Sequence, residues 1–111
     1  PAKSGNFGLG GSVWTDCAAM RANTPLIAET TGYPTQKPER LLERIVRAAT
    51  LPNSRVLDPM CGSGTTLAVA ARLGRRWAGI DLGEDACRIT AARLTSAAPK
   101  SERAPRSGAT R

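Results

Sequence analysis

The sequence predicts an α/β fold, a parallel sheet with flanking helices. Two short β-prone runs, Arg55-Val56-Leu57 and Arg76-Trp77-Ala78-Gly79-Ile80, are separated by a glycine turn and a helical stretch. Apolar residues recur at helical spacing before, between and after these runs. Each run is followed by an aspartate, Asp58 or Asp81. Strands alternating with helices at this spacing pair in parallel through right-handed crossovers.

Taken from the start, residues 1–34 read as the loop-rich edge of a larger domain. Residues 1–12 are rich in glycine, Val13-Trp14-Thr15 suits a strand end, and Pro25, Gly32 and Pro34 interrupt residues 17–34. Pro38 is expected to open the first helix, because proline is favoured at a first helical position where its missing N–H costs nothing. Leu41, Leu42, Ile45, Val46 and Ala49 then form one apolar face, and Glu43 and Arg47 are spaced to pair on the other. Pro52 and Asn53 end that helix.

The first strand, Arg55–Leu57, stops at Asp58-Pro59, since proline cannot donate to a sheet ladder. Gly62-Ser63-Gly64 is a loop. Thr65 to Leu73 is the second helix, with Leu67, Ala68, Ala70 and Ala71 inward and Gly74 as its C-cap. Arg76–Ile80 is the second strand, with Trp77 expected in the core. Glu84 to Leu94 is the third helix, acidic at its start and carrying Arg93 near its end. Residues 35–96 thus form the α/β portion, and residues 97–111 read as a disordered basic tail.

The length, 111 residues, allows one domain at most. The net charge of +7 resides in residues 35–96 and 97–111, while residues 1–34 are neutral. Such a basic chain suits a polyanionic partner such as nucleic acid; an arginine-rich solvated surface is the plainer alternative. The three cysteines, Cys17, Cys61 and Cys87, form no Cys-x-x-Cys pair and there is no histidine, so no metal site is expected. Few, widely spaced cysteines fit a reduced, cytoplasmic setting. No apolar run is long enough for a membrane span, so no membrane partner is expected.

The unit strand–Asp58…Gly62-x-Gly64–helix–strand–Asp81 has a chemical logic. Ligands of open α/β sheets sit beyond the carboxyl ends of the strands. Glycine lets the backbone approach such a ligand, and the following helix aims free N–H groups and a positive dipole end at it. Asp81, 19 residues after Gly62, is placed to accept hydrogen bonds from ribose hydroxyls. A dinucleotide, a mononucleotide and S-adenosylmethionine all combine an anionic end with a ribose. The dinucleotide fingerprint lacks its third glycine, and no lysine follows the glycines as in a phosphate-binding P-loop. Asp58 would repel phosphate and suits an ammonium, which favours S-adenosylmethionine. A tight strand–helix turn capped by Asp58, without any ligand, is the bland alternative.

Tyr33-Pro34-Thr35-Gln36-Lys37-Pro38-Glu39, then Val56-Leu57-Asp58-Pro59-Met60-Cys61-Gly62-Ser63-Gly64-Thr65-Thr66, then Gly79-Ile80-Asp81, resembles the carboxyl-terminal part of the bacterial DNA amino-methyltransferases. The resemblance covers roughly residues 13–95. It implies a Rossmann-like S-adenosylmethionine-dependent methyltransferase fold, DNA as partner, and methyl transfer to an exocyclic amino group of adenine or cytosine. It implies that Asp58, Pro59, Met60, Cys61, Gly62, Ser63, Gly64 and Thr65 form the cofactor loop, with Met60 where the family usually has phenylalanine. It implies that Asp81 binds the ribose, and that Thr35, Gln36, Lys37 and Pro38 line the methionine end, Lys37 near its carboxylate.

These enzymes also need an Asp, Asn or Ser followed by Pro-Pro and an aromatic, which accepts hydrogen bonds from the target amino group and stacks on the flipped base. The chain has eight prolines and no Pro-Pro pair. It resembles the last part of the subgroup in which that motif comes first, and residue 1 is Pro rather than Met. A fragment inactive alone is therefore expected, with the other half upstream or on a separate chain. A small basic nucleic-acid-binding protein and a dinucleotide-binding module are the alternatives.

Overall fold

The computed structural model describes Trp14, residues 16–18, Met20 and residues 27–97. A single 3-10 turn, Ile27–Glu29, precedes α1 (Glu39–Ala49), β1 (Arg55–Asp58), α2 (Thr65–Arg72), β2 (Arg76–Gly79) and α3 (Glu84–Ala97). The strands pair in parallel, with Val56 opposite Trp77 and Asp58 opposite Gly79. The expected order of elements is present, and so is the α/β class.

Boundaries differ in instructive ways. Pro38 is the residue before α1, in extended conformation, and not its first helical residue. The residue before a helix already has this extended geometry, and the fixed φ of proline serves there equally well. α1 ends at Ala49, ahead of Pro52, where the Thr50 N–H and hydroxyl both bond the Val46 carbonyl. α3 continues past Leu94 to Ala97, and there Thr95 and Ser96 turn their hydroxyls back onto the Ala91 and Arg93 carbonyls. The turn at Ile27–Glu29 falls in a stretch read as loop. Trp14 lies outside any strand, and Val13 and Thr15 fall outside the described residues. So do residues 1–12 and 98–111, with the tail expected there.

α2 is the core helix. Leu67, Ala68, Val69 and Ala70 are all buried, and Val69 is 0% exposed. Its small residues let α1 and α3 pack closely on its two sides. The helix stops at Gly74, whose φ of +72° favours glycine. There Gly74 N–H bonds the Ala71 carbonyl and Arg75 N–H the Ala70 carbonyl, the paired bonds of a Schellman cap. The Arg75 guanidinium then bonds the carbonyls of Leu73 and Thr50, placing one cation at the ends of α2 and α1.

The two faces of the sheet are unequal. A Cβ on Gly79 would overlap Leu67, so the Val56, Trp77 and Gly79 row faces α2. Leu57 and Ile80 point the other way and are 64% and 60% exposed. Parallel sheets are ordinarily covered on both faces; among the described residues, helices cover one. Trp77 departs from the core expectation, being 45% exposed. β2 has no further strand beside it among the described residues, so the indole borders an open groove instead of being enclosed.

Candidate cofactor site

The strand ends and the glycine loop are built as one piece. Beyond β1 and β2 the ladder continues, with Ile80 N–H bonding the Asp58 carbonyl and Cys61 N–H the Ile80 carbonyl, each at 3.0 Å. The loop then turns through Gly62 and Gly64, with φ of +52° and +74°. Gly64 needs its bare Cα twice over, because a Cβ would also sit 2.6 Å from the Thr90 hydroxyl oxygen. That hydroxyl donates to the Gly62 carbonyl at 2.9 Å, so α3 grips the loop from below. No side chain caps α2, whose preceding residue is Gly64, and its first N–H groups face the loop.

Asp81 ties the second strand to the loop. One carboxylate oxygen accepts from Gly62 N–H at 2.8 Å, the other from Gly83 N–H at 2.9 Å. These two bonds, Gly83 first, hold its carboxyl below the usual aspartate range. Each oxygen keeps a lone pair for a further donor. Asp58 accepts from Met60 N–H at 3.2 Å and is half-buried, so it does shape the turn as a cap would.

A cavity of about 200 Å³ opens between the loop and the segment before α1. Of the residues expected in the site, Thr35, Lys37, Asp58, Met60, Cys61, Gly62, Ser63 and Thr65 line it. Lys37 is exposed, its ammonium 3.2 Å from the Thr35 carbonyl. Thr65 closes the floor, its hydroxyl donating to the Lys37 carbonyl at 3.2 Å. A second groove, about 500 Å³, lies on the far side of Cys61 against Asp81, Trp77 and α3. Burial, with Asp81 and Asp58 adding, raises the Cys61 thiol above its ordinary value, which suits packing and not nucleophilic attack.

Other expected residues sit elsewhere. Pro38 and Gly64 are buried and Pro59 is exposed, and none of the three lines the cavity. Gln36 is buried with its amide turned away. Its carbonyl oxygen accepts from the Thr31 N–H and hydroxyl, and its NH₂ donates to the Glu29 carbonyl at 2.6 Å. That side chain fixes the shape of the Thr31–Lys37 segment. Tyr33, which opens the first motif, stands beside the expected residues. Its ring lines the cavity, 3.2 Å from where a Gly62 Cβ would be. Thr90 and Arg93 also bond the loop and are outside the expected set. Their spacing from Ala86 on one helical face was the available signal.

Comparison with known proteins identifies the family. A family model described as DNA methylase matches residues 7–92. Type II methyltransferase M2.LlaDCHI of Lactococcus lactis subsp. cremoris is 52% identical over 66 residues, covering 60% of this chain and 24% of its own. DNA adenine methyltransferase YhdJ of Escherichia coli K12 is 43% identical over 84 residues, 76% of this chain and 27% of its own. Among solved structures, the M1.HpyAVI–SAM complex superposes with a TM-score of 0.58 at 41% identity, covering 60% of this chain and 32% of that one. The chain thus spans about a quarter of the length of the curated relatives it matches.

Proposed function

Because this chain belongs to the DNA methylase family, we propose that it is the part of a DNA amino-methyltransferase that holds S-adenosylmethionine. The observation that carries this reading is the junction of three segments at one place. Thr35–Lys37, the Asp58–Thr65 loop and Asp81 converge on two cavities that share Cys61. An elongated ligand with an amino-acid end and a nucleoside end matches such a pair.

The donor set fits the cofactor. The smaller cavity offers Lys37 and the start of α2 to a carboxylate, and the Asp58 carboxylate to an ammonium. Asp81, at the edge of the apolar groove, has lone pairs left for ribose hydroxyls. Residues 35–96 supply all of these groups. When bound, the cofactor supplies an electrophilic methyl group on a sulfonium. The chain's own residues bind and orient; the sequence has no Pro-Pro-aromatic motif to present an amino group. In this reading the target, adenine or cytosine in DNA, and the groups that hold it come from polypeptide outside these residues. Such polypeptide, contiguous or on a separate chain, would cover the open face at Leu57 and Ile80.

Calorimetric titration of the 111-residue chain tests the reading. Saturable heat with S-adenosylmethionine and none with NAD is expected. No heat at millimolar cofactor would leave a basic nucleic-acid-binding protein as the better account, and saturable NAD binding a dinucleotide module.

A further inference from the structure

We infer that Arg93 is a positioning residue that sets the spacing between the two segments flanking the smaller cavity. This rests on the cofactor-site reading above, but the residue itself does not line that cavity. Arg93 reaches from α3 to three acceptors. Its guanidinium donates to Glu39 at 2.8 Å, to the Thr65 hydroxyl at 2.8 Å and to the Ser63 carbonyl at 3.3 Å. Glu39 begins α1, directly after Thr35–Pro38; Ser63 and Thr65 belong to the glycine loop and the start of α2. One side chain therefore joins both walls.

The chemistry suits an arginine and no other side chain. The Arg93 side chain is only 10% exposed. A planar fork of fixed N–H vectors serves a carboxylate, a hydroxyl and a carbonyl together, whereas a lysine ammonium would meet them as a point charge. Arg93 also orders the bonds beyond it. The Thr65 oxygen accepts from Arg93 and spends its own proton on the Lys37 carbonyl, which leaves the Ser63 hydroxyl, 3.3 Å away, as donor to Thr65. Glu39 is fixed from a second side by Arg72, which also bonds Glu43 at 3.2 Å. Burial raises the Glu39 carboxyl, and the two arginines more than offset this, keeping it charged. A buried ion pair is weak evidence for net stability, although removing one partner alone is costly. The expected work of Arg93 is thus geometric.

Two readouts on the full chain test this. Amide exchange at Gly64 and Ala68, bonded at the start of α2, is compared with Gly74 and Arg75 at its end. Affinity for S-adenosylmethionine is measured alongside. For Arg93→Met, faster exchange at Gly64 and Ala68 alone and affinity weakened about tenfold or more are expected, as for lost charge-assisted bonds. Arg93→Lys should fall between this and wild type. Arg72→Met, which loosens Glu39 without touching the loop, should leave both readouts near wild type. The proposal is overturned if Arg93→Met leaves loop exchange unchanged, or if Arg72→Met reproduces its effect. Should wild type bind no cofactor, the cofactor reading fails and loop exchange alone decides the role of Arg93. Should Arg93→Met not fold, Arg93→Lys against Arg72→Met decides it.

Discussion

Asp81 and Gly62 stand 19 residues apart in the chain and 2.8 Å apart in space, carboxylate to amide. The bond makes the strand-end aspartate a support for the loop as well as a candidate ribose partner. Asp81→Ala should therefore lower affinity for S-adenosylmethionine by roughly 1–3 kcal/mol, through lost charge-assisted bonds and a loosened loop. Calorimetry measures it. Unchanged affinity would remove Asp81 from the site.

Gly64 and Gly74 have nearly the same φ, +74° and +72°, in different surroundings. A Cβ at Gly74 meets nothing within 4 Å, whereas one at Gly64 meets Thr90 at 2.6 Å. Gly74→Ala should cost about 1 kcal/mol, the conformational penalty alone. Gly64→Ala adds an overlap with a buried, hydrogen-bonded threonine and should cost about 2–4 kcal/mol. Urea unfolding midpoints with a common slope separate the two. Equal costs would show that Thr90 moves aside freely.

The acid limb of stability follows from three carboxyls. Asp16 is lowered to about 2, chiefly by its hydrogen bond to Arg44, and Asp81 and Glu39 are lowered from 3.8 and 4.5. For each, the unfolded chain takes up its proton first as pH falls. Their stabilisation is thus complete above the unfolded values and is lost as pH drops through the folded ones. With no histidine in the sequence, the melting temperature should be flat from about pH 6 to 7.5 and fall steadily below about pH 4.5. A rise in melting temperature on acidification would contradict these shifts.

Val69 and Leu57 are opposite cases of an apolar residue. Val69 is 0% exposed, so Val69→Ala should cost about 1–3 kcal/mol through lost burial and a small cavity. Leu57, 64% exposed, should tolerate Leu57→Ser within about 0.5 kcal/mol in the isolated chain. The same substitution should reduce concentration-dependent association, measured by sedimentation, since it removes part of the open apolar face. A large loss of stability from Leu57→Ser would mean that this face is covered within the chain.

What the sequence shows of the fold is local. The order of elements, the glycine turns and the strand-end aspartates all follow from neighbours in the chain. The side-chain contacts that join distant segments do not. Asp16 pairs with Arg40 and Arg44, with the Arg44 guanidinium 5.0 Å from the Trp14 ring centre. Arg93 bonds Glu39 across 54 residues. Neither pairing has a periodicity to reveal it. Gln36 shows the converse. A motif identifies the residue, but only the fold shows that its amide is committed to Glu29 and Thr31. Trp77 stays partly exposed because a β-prone apolar run implies enclosure only when strands lie beside it.

The open face at Leu57 and Ile80 also bears on the life of the chain in a cell. Quality control reads completeness from exposed apolar surface and unpaired strand edges. On its own, this polypeptide would present chaperones and proteases with the mark of an orphan, although its glycine loop is fully formed. Its abundance would then follow whatever polypeptide shields that face, so the proposed donor site would be available only alongside that partner.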